Sequence, residues 1–342
     1  MFQTEAIFLQ KKGTPEQAFE LRITTLSSLS AEEVLIESEA FGLNYADVMA
    51  RNGLYREAPP FPCVIGYEVV GKIIEVGSKV DKTLIGKRVL AFCRFGGYAK
   101  HVITKHYAIA EIGEIPFELA LGLCTQAVTA YYMSDVLAPI HEGEKVLIHA
   151  AAGGVGSLLI QLCKRRGALV IAKVGNEDKI QQALDLGADF AVNYNKEDYE
   201  LAVKKILNGD RLDASFNPVA GSTMKKDLAL IGSGGRLFLF GGSEMVGGKF
   251  GVFSTLNFLR KMGLFIPVKF MMLSKSILGV NMLKIADNRP QIIQKSLKEV
   301  VGLFKQNELK VISGGVFNYT EIAKAHRLLE EGKSVGKISV KW

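Results

Sequence analysis

The run Ala150-Ala151-Ala152-Gly153-Gly154-Val155-Gly156 is the segment of this sequence best suited to grip a ligand. It follows the apolar run KVLIHA and opens VGSLLIQLCKRRG, where Val155, Leu158, Leu159, Leu162 and Cys163 recur at helical spacing. A glycine-rich turn between a strand and a helix can cradle a pyrophosphate, because the backbone comes close and helix-start N–H groups face the anion. Against the pattern G-x-G-x-x-G, Ala151 replaces the first glycine, while Gly153 and Gly156 remain. Gly153 then lets the backbone approach the phosphates, and Gly156 lets helix and strand pack closely. Ala152, Gly154 and Val155 complete the loop. A tight βα turn without a ligand is the competing reading, and the βαβ context favours the dinucleotide.

The next strand selects the cofactor. An NAD-binding site carries Asp or Glu about 20 residues past the loop, for the ribose 2′-hydroxyl. Here the strand LVIAKV ends in Gly175 and Asn176, with Lys173 before them and Lys179 after. No carboxylate stands at the tip to repel a 2′-phosphate, and Lys179, Asn176 and Lys173 can bind one. The expected cofactor is NADPH. Glu177 and Asp178 read as first-turn acids of the following helix, and a solvated helix surface is the competing reading of Lys179.

These residues need elements to position them. Up to about residue 125 the chain reads as strands and tight turns, with glycines closely spaced from Gly66 to Gly97. From Lys145 strands alternate with helices: KVLIHA, VGSLLIQLCKRRG, LVIAKV, DKIQQALDLG, DFAVNY, EDYELAVKKILNG, DASFNP, a helix near Met224, and RLFLFG. That alternation predicts right-handed βαβ units on a doubly wound parallel sheet of the Rossmann type, an α/β fold. A helix from about Pro290, the helix EIAKAHRLLEEG and the strand GKISVKW close the chain. A β-rich start and a β-ended tail flanking an α/β insert predict one split domain, 1–125 with 284–342, around a continuous one, 126–283.

Composition excludes several classes. With 48% hydrophobic and 23% charged residues the chain is an ordinary folded protein. The net charge of +7 is spread along it, and its densest cluster, Lys164-Arg165-Arg166, falls where a helix should end, so nucleic acid is not an expected partner. No run approaches the roughly 20 apolar residues of a membrane helix, and the N-terminus lacks a signal-peptide core. Cys63, Cys93, Cys124 and Cys163 form no C-x-x-C pair. They read as free thiols in a reducing, cytoplasmic setting, Cys163 as helix filling.

The run Asn44-Tyr45-Ala46-Asp47-Val48-Met49-Ala50-Arg51-Asn52-Gly53-Leu54-Tyr55 resembles the N-x-x-D-x-x-x-R-x-G-x-Y signature of quinone oxidoreductases. These are zinc-free members of the medium-chain dehydrogenase/reductase superfamily. The similarity continues through PCVIGYEVVG (62–71), Gly96-Gly97-Tyr98-Ala99, Thr129-Ala130-Tyr131, the loop at 150–156, Gly187-Ala188-Asp189, Gly241-Gly242, Ala325-His326 and Gly336-Lys337. It spans nearly the whole chain in the family's order, and 247–286 carries only βα-like character. The resemblance implies a GroES-like substrate domain, a Rossmann domain, a homodimer and NADPH. Zinc-dependent relatives carry cysteine and histidine ligands where this chain has Asn44 and Tyr67, and a second metal site would need a cysteine cluster between about 90 and 115, where only Cys93 stands, so neither catalytic nor structural zinc is expected. The resemblance places Asn44 beside the nicotinamide ribose and Thr129 on the nicotinamide side, and makes Tyr194 and Lys337 further cofactor contacts. Gly241 and Gly242 follow a strand at the end where the ligand crevice of such sheets lies.

Without a metal to polarise an alkoxide, simple alcohols are poor substrates, and a quinone or enone, which spreads incoming charge by itself, suits the site. The expected reaction is NADPH-dependent reduction of quinones or α,β-unsaturated carbonyls. In related enoyl reductases the tyrosine ending the signature is similar to a proton donor, which implies Tyr55 here, with Tyr67 and Tyr45 as second candidates and a pocket wall as the competing role of Tyr55. Asp47 reads as a local anchor and His326 as a helix-packing residue. The alternative is an NADPH-binding protein with little catalysis, associated with a membrane surface through the apolar, basic run at 258–275; a pocket lid or dimer surface is the competing reading of that run.

Overall fold

In the computed structural model, which describes residues 2–245 and 252–342, the chain forms two units: Met1–Thr129 with Met282–Trp342, and Ala130–Asn281. The first unit begins with β1 (Phe2–Leu9), β2 (Phe19–Leu26), β3 (Glu33–Leu43), β4 (Glu68–Val76), β5 (Arg88–Phe92), β6 (His101–Lys105) and β7 (Ile109–Glu111). The second unit holds β8 (Lys145–His149), β9 (Leu169–Val174), β10 (Phe190–Asn193), β11 (Leu212–Asn217), β12 (Ile231–Leu239) and β13 (Ser276–Gly279). The chain then returns to the first unit with β14 (Ser313–Asn318) and β15 (Lys337–Lys341).

The first unit is built on a sheet ordered β14-β15-β3-β4-β5-β7, with β6 also pairing with β3. Only β14 and β15 run parallel. The β-branched and aromatic residues of β3 and β4 explain the strands, and their inward faces supply the core: Ile36, Phe41, Leu43, Val69 and Ile73 are fully enclosed. Removing such side chains from water contributes roughly 1.5–3 kcal/mol each. The C-terminal strand matters for the site. β15 pairs antiparallel with β3, Ile338 opposite Leu43, and this register brings Lys337 to Asn44.

The second unit is a six-stranded parallel sheet, β10-β9-β8-β11-β12-β13. Counted from β8 the order is 3-2-1-4-5-6, the dinucleotide-binding arrangement. Continuous apolar runs explain it, since a parallel sheet is covered on both faces: Val146, Leu147 and Ile148 on β8, and Val170, Ile171 and Ala172 on β9, are all buried. The helices Gly154–Arg165, Asp178–Asp185, Tyr199–Leu207 and Thr223–Leu230 connect the strands.

Two local differences from the sequence pattern have physical causes. β12 starts at Ile231, five residues before RLFLFG, because parallel pairing with β11 carries the backbone through glycines 232, 234 and 235 with a register shift between Leu212 and Ala214. Within the stretch read as strands and turns lies the helix Tyr45–Arg51, started by a capping interaction described below. Of the stretch 247–286, residues 247–251 lie outside the described residues. The remainder forms the helices Val252–Met262 and Pro267–Leu273, then β13 and the start of the helix Met282–Asn288. No helix among the described residues is long and apolar enough to cross a membrane.

Candidate active site

In the second unit the chain leaves β8 and turns sharply: Ala150 adopts φ 49°, and the Gly153 N–H donates to Ala150 O at 2.8 Å. The helix Gly154–Arg165 starts at once. Gly153 is its N-cap and has no side chain to satisfy the first-turn N–H groups. A Cβ on Gly156 would lie 2.4 Å from Ala150 O and 2.7 Å from Ala151 Cα, so only glycine lets the helix start this close to the loop. The result is a backbone cradle with donors aimed outward, which fits a pyrophosphate. Ala152, Gly153, Gly154 and Val155 together form it.

The tip of β9 gathers four of the expected residues. Asn176 Oδ1 accepts the Lys179 N–H at 3.0 Å, which sets Lys179 at the start of the helix Asp178–Asp185. Tyr194 is 47% exposed and lies over Gly175, where a Cβ would sit 2.9 Å from the phenol oxygen. Asn195 Nδ2 donates to Gly175 O at 2.6 Å and fixes the turn. Lys179 is half-buried, and desolvation lowers its pKa. Glu177 is no repelling carboxylate aimed at the tip, for it accepts from Asn193 Nδ2 at 2.7 Å and pairs with Lys196 at 3.0 Å.

Lys173 departs from the expectation. It is 6% exposed, and its ammonium lies beneath the tip, 4.5 Å from the centroid of the Tyr194 ring and 4.3 Å from that of Tyr199. Strand alternation gives the reason: successive side chains leave β9 on opposite faces, and Lys173 emerges into the layer covered by the helix Tyr199–Leu207. Gly241 and Gly242 follow β12. Ser243 N–H donates to Pro218 O at 3.1 Å, tying the loops after β11 and β12 together at the carboxyl ends of the strands.

The first unit holds the other cluster. Asn44 begins the helix Tyr45–Arg51, and its N–H donates to Asp47 Oδ2 at 2.8 Å, the capping interaction that starts that helix. Asp47 is thus an anchor; burial pushes its pKa up to about 8 against the hydrogen bond from Asn44. Asn44 Nδ2 donates to Glu68 Oε1 at 2.8 Å, and Lys337 Nζ donates to Asn44 Oδ1 at 3.1 Å, to Leu43 O at 2.9 Å and to Glu68 Oε1. The Thr125 N–H donates to Glu68 Oε2 at 2.7 Å. Glu68 and Lys337 are both 0% exposed. Lys337, expected to touch the cofactor, instead spends its donors inside the protein and orients the Asn44 amide.

Tyr55 and Tyr67 meet edge to face, with centroids 6.2 Å apart. Tyr67 is buried, and its hydroxyl has no hydrogen-bond partner among the described residues. Burial first, then Asp47, holds its pKa well above the ordinary phenol value. Tyr55 is half-buried; burial, with help from Glu57 and Asp47, pushes it up to about 12. Tyr45, on the first turn of the helix Tyr45–Arg51, is also raised by burial. Thr129 Oγ1 donates to Thr125 O at 2.6 Å, so its hydroxyl is held on its own helix. His326 is fully buried with Nε2 3.0 Å from Tyr98 Oη, and desolvation drives its pKa to about 3, which makes it a neutral packing residue.

Two family models match the chain: an alcohol dehydrogenase GroES-like domain over residues 30–142 and a zinc-binding dehydrogenase over 154–298. Quinone oxidoreductase 1 of Escherichia coli (strain K12) is 34% identical over 242 residues, 70% of this chain and 73% of that one. The chain belongs to the quinone oxidoreductases of the medium-chain dehydrogenase/reductase superfamily. The crystal structure of the Escherichia coli quinone oxidoreductase complexed with NADPH superposes with a TM-score of 0.85 at 25% identity, covering 99% of this chain and all of that one. The synaptic vesicle membrane protein VAT-1 homolog of Danio rerio is 28% identical over 314 residues, 91% of this chain, and the chain spans 64% of that relative's length.

In this quinone oxidoreductase the β-rich first unit carries the GroES-like match and the parallel sheet is the Rossmann part. Among the described residues no three His, Cys, Asp or Glu side chains are grouped to hold a metal ion. Sequence reasoning missed Glu68 as the link between Asn44 and Lys337. Its neighbour Tyr67 drew attention, but a buried carboxylate in an apolar strand was the available signal. It also missed the buried set His149, Tyr199, Asn217 and Asp227 of the second unit. These residues lie on four separate elements and share no local motif.

Proposed function

We propose that the chain reduces quinones or α,β-unsaturated carbonyls with NADPH and without a metal. The observation that carries this reading is the Asn44 amide locked between Glu68 and Lys337, with the paired phenols Tyr55 and Tyr67 in the same unit, in place of a thiolate–imidazole donor set. NADPH, when bound, supplies the hydride. Backbone donors of Ala152, Gly154 and Val155 hold its pyrophosphate in the cradle that Gly153 shapes, and Gly175, Asn176, Lys179 and Tyr194 receive the 2′-phosphate. In the first unit Asn44 and Thr129 are the groups suited to orient a nicotinamide; in the second, Gly241 and Gly242 leave room for the cofactor at the carboxyl ends of the strands. Lys337 acts through Asn44. Tyr55 Oη gives the proton that the acceptor needs after hydride transfer, with Tyr67 behind it.

The test is NADPH consumption by purified protein against a panel of quinones and enones, before and after dialysis with a chelator. Turnover insensitive to the chelator is expected. Tight NADPH binding with no turnover on any member of the panel overturns the reductase and favours the binding protein.

We also place a second copy of the chain against the β13 edge. In the segment that leads into β13, Leu264, Met271 and Met272 are 90%, 73% and 78% exposed, large apolar side chains that a second copy would cover. The membrane-surface alternative rests on the same run at 258–275 and its basic residues. Lys261 pairs with Glu244 at 2.6 Å and Lys275 donates to Leu228 O at 2.7 Å, so both are partly spent within the protein, which favours the homodimer. The buried free thiols Cys63, Cys93, Cys124 and Cys163 suit a reducing, cytoplasmic setting.

A further inference from the structure

Lys173 is a buried cation that the reaction does not use. Filling this space would need only an apolar side chain, and burying an ammonium costs free energy unless its donors are met. They are met by the faces of two rings and by one nitrogen of His149, with Lys173 Nζ 3.3 Å from Nδ1. The other nitrogen, Nε2, lies 3.0 Å from Asp227 Oδ1. Desolvation lowers the His149 pKa, so the ring is neutral and carries one proton. Asp227, an anion that accepts from Ser215 Oγ at 2.9 Å, Asn217 Nδ2 at 2.6 Å and Tyr199 Oη at 2.9 Å, takes that proton's hydrogen bond. Nδ1 is then an acceptor, and Lys173 is its donor. Asp198, Lys226 and Glu244 are the further charged groups that act on Lys173.

We propose that Lys173 is a positioning and specificity residue for the cofactor's 2′-phosphate: it holds the Tyr194 ring from beneath and places a positive charge behind the β9 tip. The proposal rests on the NADPH reading of that tip. Tyr194 stands between the ammonium and solvent, with its phenol oxygen over Gly175 and its N–H bonded to Val174 O at 3.1 Å. A dianionic phosphate at Gly175, Asn176 and Lys179 feels the Lys173 charge through protein and one aromatic ring, where screening is weaker than in water. NADH lacks that group and does not feel it.

The pH dependence follows. Burial lowers the Lys173 pKa to about 8. The charge is present below that value and lost above it, so preference for NADPH over NADH should fall as pH rises through it. The experiment measures dissociation constants of NADPH and NADH by fluorescence titration from about pH 7 to about pH 9.5. Wild type should lose about tenfold of its NADPH preference over this range, Lys173→Met should lose about tenfold at pH 7 and then stay flat, and NADH affinity should change less than about twofold. Lys179→Gln should weaken NADPH binding but keep the fall with pH, and it carries the test if Lys173→Met does not fold. A flat wild-type profile, a Lys173→Met protein with full preference, or equal loss of both cofactors overturns the proposal and leaves Lys173 structural. A wild type that binds NADH as well as NADPH throughout instead overturns the NADPH reading itself.

Discussion

A phenol serves as an acid only while it keeps its proton. Tyr55, pushed up to about 12, keeps it throughout the physiological range, and burial also holds its edge-to-face partner Tyr67 well above the ordinary phenol value. Tyr55→Phe should lower kcat by about 10²-fold while NADPH affinity stays unchanged, since a positioned general acid contributes on the order of 10²–10⁴. Steady-state kinetics with a fixed enone, alongside NADPH titration, checks this; unchanged kcat would make Tyr55 a wall of the site. At the same scale, the Asn44–Glu68–Lys337 set is poor as a stability device, because two buried charges lose much of their attraction to desolvation. Its use is geometric, holding one amide in one orientation. Asn44 and Lys337 were legible as site residues through their motifs. That Lys337 works from behind Asn44 was not, because burial depends on the β15–β3 register.

Local pattern and element agree best at the phosphate loop. Strand, turn and helix there are consecutive, so composition and periodicity suffice to locate them. Gly156→Val tests the closeness of that packing. Its Cβ would press on the Ala150 carbonyl and Ala151, both backbone, which cannot yield as a side-chain tip can. The variant should lose about 1–3 kcal/mol of stability in urea denaturation and bind NADPH at least about tenfold more weakly. Native stability with intact binding would show that the helix start can shift freely. The beginning of β12 was less legible, because the glycines at 232, 234 and 235 read as a turn and only pairing with β11 makes them strand.

On the scale of the whole molecule the element that invites a partner is the edge strand β13. A sheet edge presents unpaired backbone donors and acceptors, and the neighbouring helix Pro267–Leu273 adds exposed apolar surface. If a second copy covers both, Met271→Glu with Met272→Glu should convert a dimer into a monomer in sedimentation while each unit stays folded. A wild-type monomer that floats with anionic liposomes would favour the membrane-surface alternative. The apolar, basic character of 258–275 was plain in the sequence. How far its basic side chains are engaged within the protein was not, because Lys261 and Lys275 meet partners 17 and 47 residues away.

The sequence by itself determined the class of fold, the phosphate loop and the carboxylate-free strand tip. Each is written in consecutive residues, where periodicity, turn chemistry and charge act locally. Only the tertiary structure decided which charges are buried and whom they face. Lys173 reads as a strand-tip cation in the sequence and lies in a cage of Tyr194, Tyr199 and His149 in the fold. Lys337 reads as a cofactor contact and forms a buried pair with Glu68. Burial of a charge depends on strand register and on helices that cross the sheet, and neither is encoded within the few residues around the charge.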